Sequence, residues 1–367
     1  MNAVNNTDSN NNNTNDNYTC PFWIIICYCV FIVVGFILNF CISLVLVQRK
    51  QNGALSSILQ LSIVDCLSIF IAVIEVWSIN QHSWTFSTTI CLIFSGCEVI
   101  TNTFILYNII CLNFHIVSSL NLHLNQTIKT KKVKLTSIDD EDSEQFLVDR
   151  SDDQICNRNV VIDYRRKKTS IPIAFPLILV WFVGLSISIP QFTLSTTVIV
   201  QNNSTLCTIF DTFYNKLLQD LSMVFRIVIP TPLLLVSLLI LIKKTYQMKY
   251  LKDAGQDTSS AHTFEKMQSS AVLAIILTVM YLILSLQRLI FHLLHIITQE
   301  LNENSSTDFF KVPPLENVTC TNFTNLLSAM IHYASSTFRP FAYIFVIPEV
   351  RYAFDIRHKF KCHNNKT

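Results

Sequence analysis

Among the charged side chains inside otherwise apolar stretches, four lie in the outer halves of those stretches: Glu75, Glu98, Arg226 and Arg288. An ionised group in hydrocarbon costs several kcal/mol, so such residues face one another, a water-filled cavity or a ligand. Two chemistries are open to them. Glu75 and Glu98 receive a cationic group of a ligand, or the four simply pair among themselves and make the interior tolerable. A pocket of self-paired charges can still be a binding site. His292, His295 and His332 lie in comparable surroundings, where a lone helix-facing histidine is more often a hydrogen-bonded packing residue than a ligand, and no metal site is expected. Gly-x-Ser-x-Gly, His-Glu-x-x-His and phosphate-loop patterns are absent from the chain, so neither an enzyme nor a cofactor is expected.

The elements that position these residues follow from composition. Half of the 367 residues are apolar and 14% are charged, with a mean hydropathy of +0.40, too apolar for one soluble domain of this size. A helix needs about 20 mainly apolar residues to cross a hydrocarbon core roughly 30 Å thick. Seven stretches meet that standard, at 23–47, 55–78, 90–120, 171–192, 221–242, 271–297 and 325–346. The expected fold is therefore an all-α membrane protein, a seven-transmembrane-helix bundle. The net charge of +2 gives no reason to expect a nucleic-acid partner.

The distribution of basic residues sets the expected orientation. With loops assigned alternately to two sides, 22 of the 27 lysines and arginines fall on one side and only Lys216 and Lys311 on the other. Basic residues are retained in the cytosol, which places the amino terminus outside and the carboxyl tail inside, in a multi-pass plasma-membrane protein whose first apolar segment itself directs insertion. Glycosylation acceptors agree: Asn5, Asn12, Asn17, Asn202, Asn203, Asn304, Asn317 and Asn322 all fall on the outer side, whereas Asn125 faces the cytosol and should be silent. The expected divisions are an extracellular glycosylated tail at 1–22, a helical domain at 23–346 and a cytosolic tail at 347–367. The cytosolic segment 121–170 mixes an acidic run at 139–144 with a basic run at 165–168 and has few large apolar residues, so disorder is expected there. Its basic run adjoins the fourth span, within reach of anionic lipid headgroups.

Further motifs lie along the seven stretches. The first has Gly35-Phe-Ile-Leu-Asn39 and the second Leu61-Ser-Ile-Val-Asp65; Cys91 opens the third, after Trp84; Trp181 and Pro190 mark the fourth and Pro232 the fifth; the seventh ends in Arg339-Pro340-Phe-Ala-Tyr343. Glu349, Arg351 and Phe354 follow in an amphipathic run, with Cys362 a candidate lipidation point. In this order and spacing the motifs resemble the rhodopsin-like G-protein-coupled receptors, across all seven segments. The stretch 281–288 distantly resembles the sixth helix of invertebrate FMRFamide-type peptide receptors.

The resemblance implies a cell-surface receptor for a peptide or other cationic ligand, a heterotrimeric G protein or arrestin as cytosolic partner, and a short amphipathic helix on the inner membrane face after the seventh span. It places Glu98, two helical turns inward of Cys91, at the pocket floor. Outward-facing Cys20, Cys91, Cys207 and Cys320 allow three pairings; the resemblance selects Cys91 with Cys207 and leaves Cys20 with Cys320. It makes Asn39, Asp65, Arg339, Pro340 and Tyr343 the switch core. Asp65 and Arg339 lie at similar depth and are expected to form a buried ion pair where many relatives bind sodium; the alternative is an Arg339 that snorkels to the inner interface.

Two departures stand out. His115-Ile116-Val117 occupies the G-protein-facing place of the family's Asp-Arg-Tyr, and the sixth span has neither the usual proline nor any glycine, so it is expected to be straighter than in relatives. A receptor-like protein that binds without standard G-protein activation is therefore the alternative. A seven-helix channel or transporter fits less well, given the basic-residue asymmetry and the lack of an internal repeat.

Overall fold

The computed structural model describes residues 22–49, 53–81, 83–140, 173–199, 205–209, 212–253, 261–288, 290, 294 and 318–354. In chain order the elements are α1 (Phe22–Val47), α2 (Gly53–Gln81), α3 (Thr88–Asp140), α4 (Ala174–Leu194), β1 (Ser195–Ile199), β2 (Thr205–Ile209), α5 (Thr212–Met223), a π turn (Val224–Val228), α6 (Pro230–Asp253), α7 (Ala261–Met280), a second π turn (Tyr281–Ser285), α8 (Val318–Val346) and α9 (Pro348–Phe354). Six helical segments are long and apolar enough to cross a membrane: Ile25–Val47, Gly53–Gln81, Thr88–Leu124, Ala174–Leu194, Asp220–Tyr250 and Glu265–Arg288.

Polar and charged side chains are buried within the apolar core, while large apolar ones are exposed on the outside. Asn39, Asp65, Asn108, Asn113 and Arg339 are all at most 2% exposed, while Phe40, Phe70, Phe175, Phe182 and Leu239 are each more than half exposed. Contiguous apolar faces of this kind are rare on soluble monomers and are what lipid selects, since helices satisfy their own backbone bonds there. The chain is a multi-pass membrane protein.

Helix α3 is the axis of the assembly, packing on α2, α4, α6 and α7, and α8 closes the ring by contacting α1, α2 and α7. At Gly35 the α1 backbone approaches α8 so closely that an added Cβ would lie 2.5 Å from Thr337 Oγ1. Asn39 exploits the approach, its Nδ2 donating to Gly35 O and to Ser336 O, both at 2.9 Å. Trp181 of α4 packs on Phe104 of α3 with ring centroids 4.3 Å apart. Deeper in, Asn113 Nδ2 of α3 donates to Ser237 Oγ of α6 at 3.0 Å and to Thr278 Oγ1 of α7 at 2.9 Å, so three helices share one buried polar knot.

The structure corrects two expectations. Helix α3 runs on to Asp140, so 121–140 is helical rather than disordered; adding residues to an established helix avoids the nucleation cost that defeats the same sequence alone. The sixth span is not an uninterrupted α-helix, because the π turn at Tyr281–Ser285 breaks its register with no proline or glycine. The all-α class holds, with one addition: between α4 and α5 stands an antiparallel hairpin, Thr197 paired with Cys207, whose ten paired residues are rich in Thr, Val and Ile, which favour strands. A short helix, α9, follows α8, and Lys266 Nζ of α7 meets Glu349 Oε1 of α9 at 2.6 Å.

Candidate functional site

Three of the four charged residues meet, and they come from three helices. Arg288, one turn beyond the π turn of α7, sets Nη2 2.5 Å from Glu75 Oε1 and Nη1 3.3 Å from Glu75 Oε2, a two-pronged bond to α2. Its Nη2 also reaches Glu98 Oε1 of α3 at 3.5 Å. The Tyr333 hydroxyl of α8 donates to Glu75 Oε2, and the Arg288 guanidinium lies 5.6 Å from the Tyr333 ring centroid, within cation–π range. Tyr28 of α1 packs edge-on against Tyr333. The network thus draws in five helices.

The two carboxylates are not equivalent. Glu75 accepts three hydrogen bonds and its side chain is 13% exposed; Glu98 has one long contact and is 27% exposed. Glu75 is therefore committed to holding the helices together, and Glu98 is the carboxylate with bonding capacity to spare. Self-pairing and ligand capture are divided between them.

Arg226 makes no direct contact with the other three, although Glu98 and Arg288 act on it through space. It lines a small cavity with Asn102, Tyr281, His332, Ser335 and Arg339. The reason lies in the start of its helix: α5 begins at Thr212, before the apolar stretch, so Arg226 sits 14 residues in, about 21 Å along the axis. The local backbone follows from Pro230, which cannot donate to the Arg226 carbonyl. The helix widens instead, and Ile229 N donates five residues back to Val224 O at 3.0 Å. Such π turns recur at functional sites.

The expected ion pair at the centre is present. Arg339 Nε and Nη2 contact Asp65 Oδ2 and Oδ1 at 3.0 and 2.6 Å, and Nη2 also donates to Ser336 Oγ at 2.8 Å. Arg339 is 2% exposed and Asp65 0%, so the guanidinium does not snorkel outward. Tyr343 is fully buried with no hydrogen-bond partner for its hydroxyl among the described residues, and Pro340 lies inside α8.

At the hairpin end of the bundle a disulfide joins Cys91 to Cys207 with Cα atoms 5.6 Å apart, fixing the hairpin over the start of α3. Trp84 N donates to Thr205 O at 2.7 Å, and the Trp84 ring packs on Phe86 and Phe94. Cys20 lies outside the described residues, as do Asn5, Asn12, Asn17, Asn203, Asn304, Asn317 and Cys362; Asn322 falls within α8. Farther along α3, Ile116 and Val117 are core residues, 4% and 9% exposed, and His115 covers Gly53, where an added Cβ would sit 2.5 Å from its Nε2. Those two apolar side chains therefore pack into the bundle. Tyr333, Asn102 and Asn113 were not anticipated as part of the polar interior; Tyr333 is one residue from His332, and only the pairing of α8 with α2 reveals its carboxylate partner.

No family model matches the chain, and no curated protein matches it. Among the described residues no cluster of His, Cys, Asp and Glu could hold a metal ion.

Proposed function

We propose that the protein is a plasma-membrane receptor of the rhodopsin-like G-protein-coupled kind, with seven membrane-spanning helices, its amino terminus outside, and a peptide or other cationic ligand. The observation that carries the reading is the charged network beneath the disulfide-tethered hairpin. Glu75, Glu98, Arg288 and Tyr333 converge from α2, α3, α7 and α8, and Glu98 retains an under-used carboxylate. On this reading α8 is the seventh span and α9 lies along the inner membrane face. A ligand cation binds Glu98 and loosens its long contact with Arg288, which stays anchored on Glu75. Because Arg288 stands just past a π turn of α7, a change in its contacts acts on the helix whose inner end is tied to α9 through Lys266 and Glu349.

The test is a ligand screen on surface-expressed protein with G-protein and arrestin readouts in parallel. A cationic ligand that activates either, and whose effect is lost in Glu98→Gln, supports the reading; responses restricted to neutral ligands and indifferent to Glu98 would overturn the ligand assignment. A second reading, ligand binding without standard G-protein activation, is favoured by the inner end of α3, where no arginine is present and Ile116 and Val117 are buried. Saturable binding with silent G-protein output in every coupling class would select it.

A further inference from the structure

The interior charges balance in number but not in contact. Asp65, Glu75 and Glu98 face Arg226, Arg288 and Arg339. Arg339 is held by Asp65 and Arg288 by both glutamates. That leaves Arg226, which makes no hydrogen bond and no ion pair among the described residues; Glu98 acts on it only through space. A guanidinium is never deprotonated in a protein and carries five donors, so its charge must be met by something.

The cavity that Arg226 lines is rich in donors and holds no carboxylate among its lining residues. Ser285 Oγ donates to Ser335 Oγ at 3.2 Å, which leaves the Ser335 proton uncommitted. The Tyr281 hydroxyl has no hydrogen-bond partner among the described residues. His332, 8% exposed, meets Asn102 Oδ1 through Nε2 at 3.0 Å, and its Nδ1 is buried without a partner among the described residues. Turning the Asn102 amide so that it donates to Nε2 moves the imidazole proton to Nδ1, adding one more donor. Two guanidiniums and two free hydroxyls around one small space suit a negative occupant, and the space, with room for roughly one water, suits a compact one.

We propose that this cavity is a binding site for a compact monovalent anion, either a free halide or one oxygen of a ligand carboxylate, anchored by Arg226. The free-ion source stands apart from the receptor reading; only the carboxylate source rests on it.

The experiment needs no identified ligand. Full-length protein in detergent is melted while chloride replaces gluconate at constant ionic strength, and in a second series while formate replaces gluconate. An occupant that binds only the folded state raises Tm saturably. Stabilisation by chloride identifies a free-halide site; stabilisation by formate alone identifies a carboxylate site. In either case Arg226→Gln should move the titration midpoint at least about tenfold, and Arg226→Lys should keep part of the response, since a point charge still attracts but cannot present the fork. Equal Tm in all anions for the wild-type protein overturns the proposal, as does an unchanged response in Arg226→Gln. Should Arg226→Gln fail to fold, Tyr281→Phe removes one donor and must weaken the same titration. None of these outcomes bears on whether the chain signals, which the ligand screen decides separately.

Discussion

Replacing Asp65 by Asn removes a negative charge from a place where nothing else described can supply one. Arg339 is 2% exposed and commits two nitrogens to Asp65 and one bond to Ser336. After the substitution the guanidinium remains charged and keeps only neutral acceptors. Breaking a buried pair from one side costs about 3–5 kcal/mol, and even the lower figure is about a hundredfold in a folded-to-unfolded ratio. Arg339→Asn orphans the carboxylate instead, at similar cost. The double variant leaves two neutral amides and no orphan charge, which costs less than breaking the pair from one side. Surface expression and Tm in detergent should therefore fall in each single variant and recover in part in the double, with a coupling of at least about 2 kcal/mol, within the range measured for contacting residues. Strict additivity of the two losses would refute the reasoning, because it would mean that each residue is satisfied by something other than its partner.

Three further outcomes are expected. With a cationic ligand in hand, Glu98→Gln should weaken binding by at least about 1.4 kcal/mol, a tenfold change, at normal surface expression; unchanged affinity would remove Glu98 from the site. Asn113→Leu strips the shared donor from Ser237 and Thr278 and should destabilise by about 1–3 kcal/mol, measured as a lower Tm that Ser237→Ala combined with Thr278→Val partly restores. Peptide mapping of non-reduced protein should recover Cys91 linked to Cys207 and, as its second bridge, Cys20 linked to Cys320; a free thiol at Cys20 would reject the second.

Hydropathy located the helices well because burial in lipid and burial in protein demand the same residue types, and the observed bounds of α1 and α2 fall within three residues of the apolar stretches. The Asp65–Arg339 pair was legible for a simpler reason: two opposite charges at one depth have few alternatives. The position of Arg226 was not legible, because hydropathy marks the start of the apolar stretch and not the polar α5 that is continuous with it. The hairpin was missed because five-residue strands such as Ser195–Ile199 carry too short a pattern to stand out beside 20-residue spans. The division of labour between Glu75 and Glu98 was out of reach, since it depends on Tyr333, a residue with nothing in its local sequence to mark it.

The π turn at Tyr281–Ser285 gives the outer end of α7 an angular offset. An α-helix advances about 100° per residue, and a widened turn accommodates one extra residue without lengthening the path by a full step. Everything beyond it is consequently rotated by about that angle relative to a continuous helix. Arg288 points at Glu75 because of this rotation; on an unbroken helix the same residue number would face a neighbour or the lipid. Helical-wheel logic therefore applies to this span only as two wheels, one on each side of Ser285. Loss of a single residue here would restore an unbroken α-helix with Arg288 still on its present face, whereas closing the π turn without a deletion would turn Arg288 away and leave the contacts of Lys266 and Thr278 where they are.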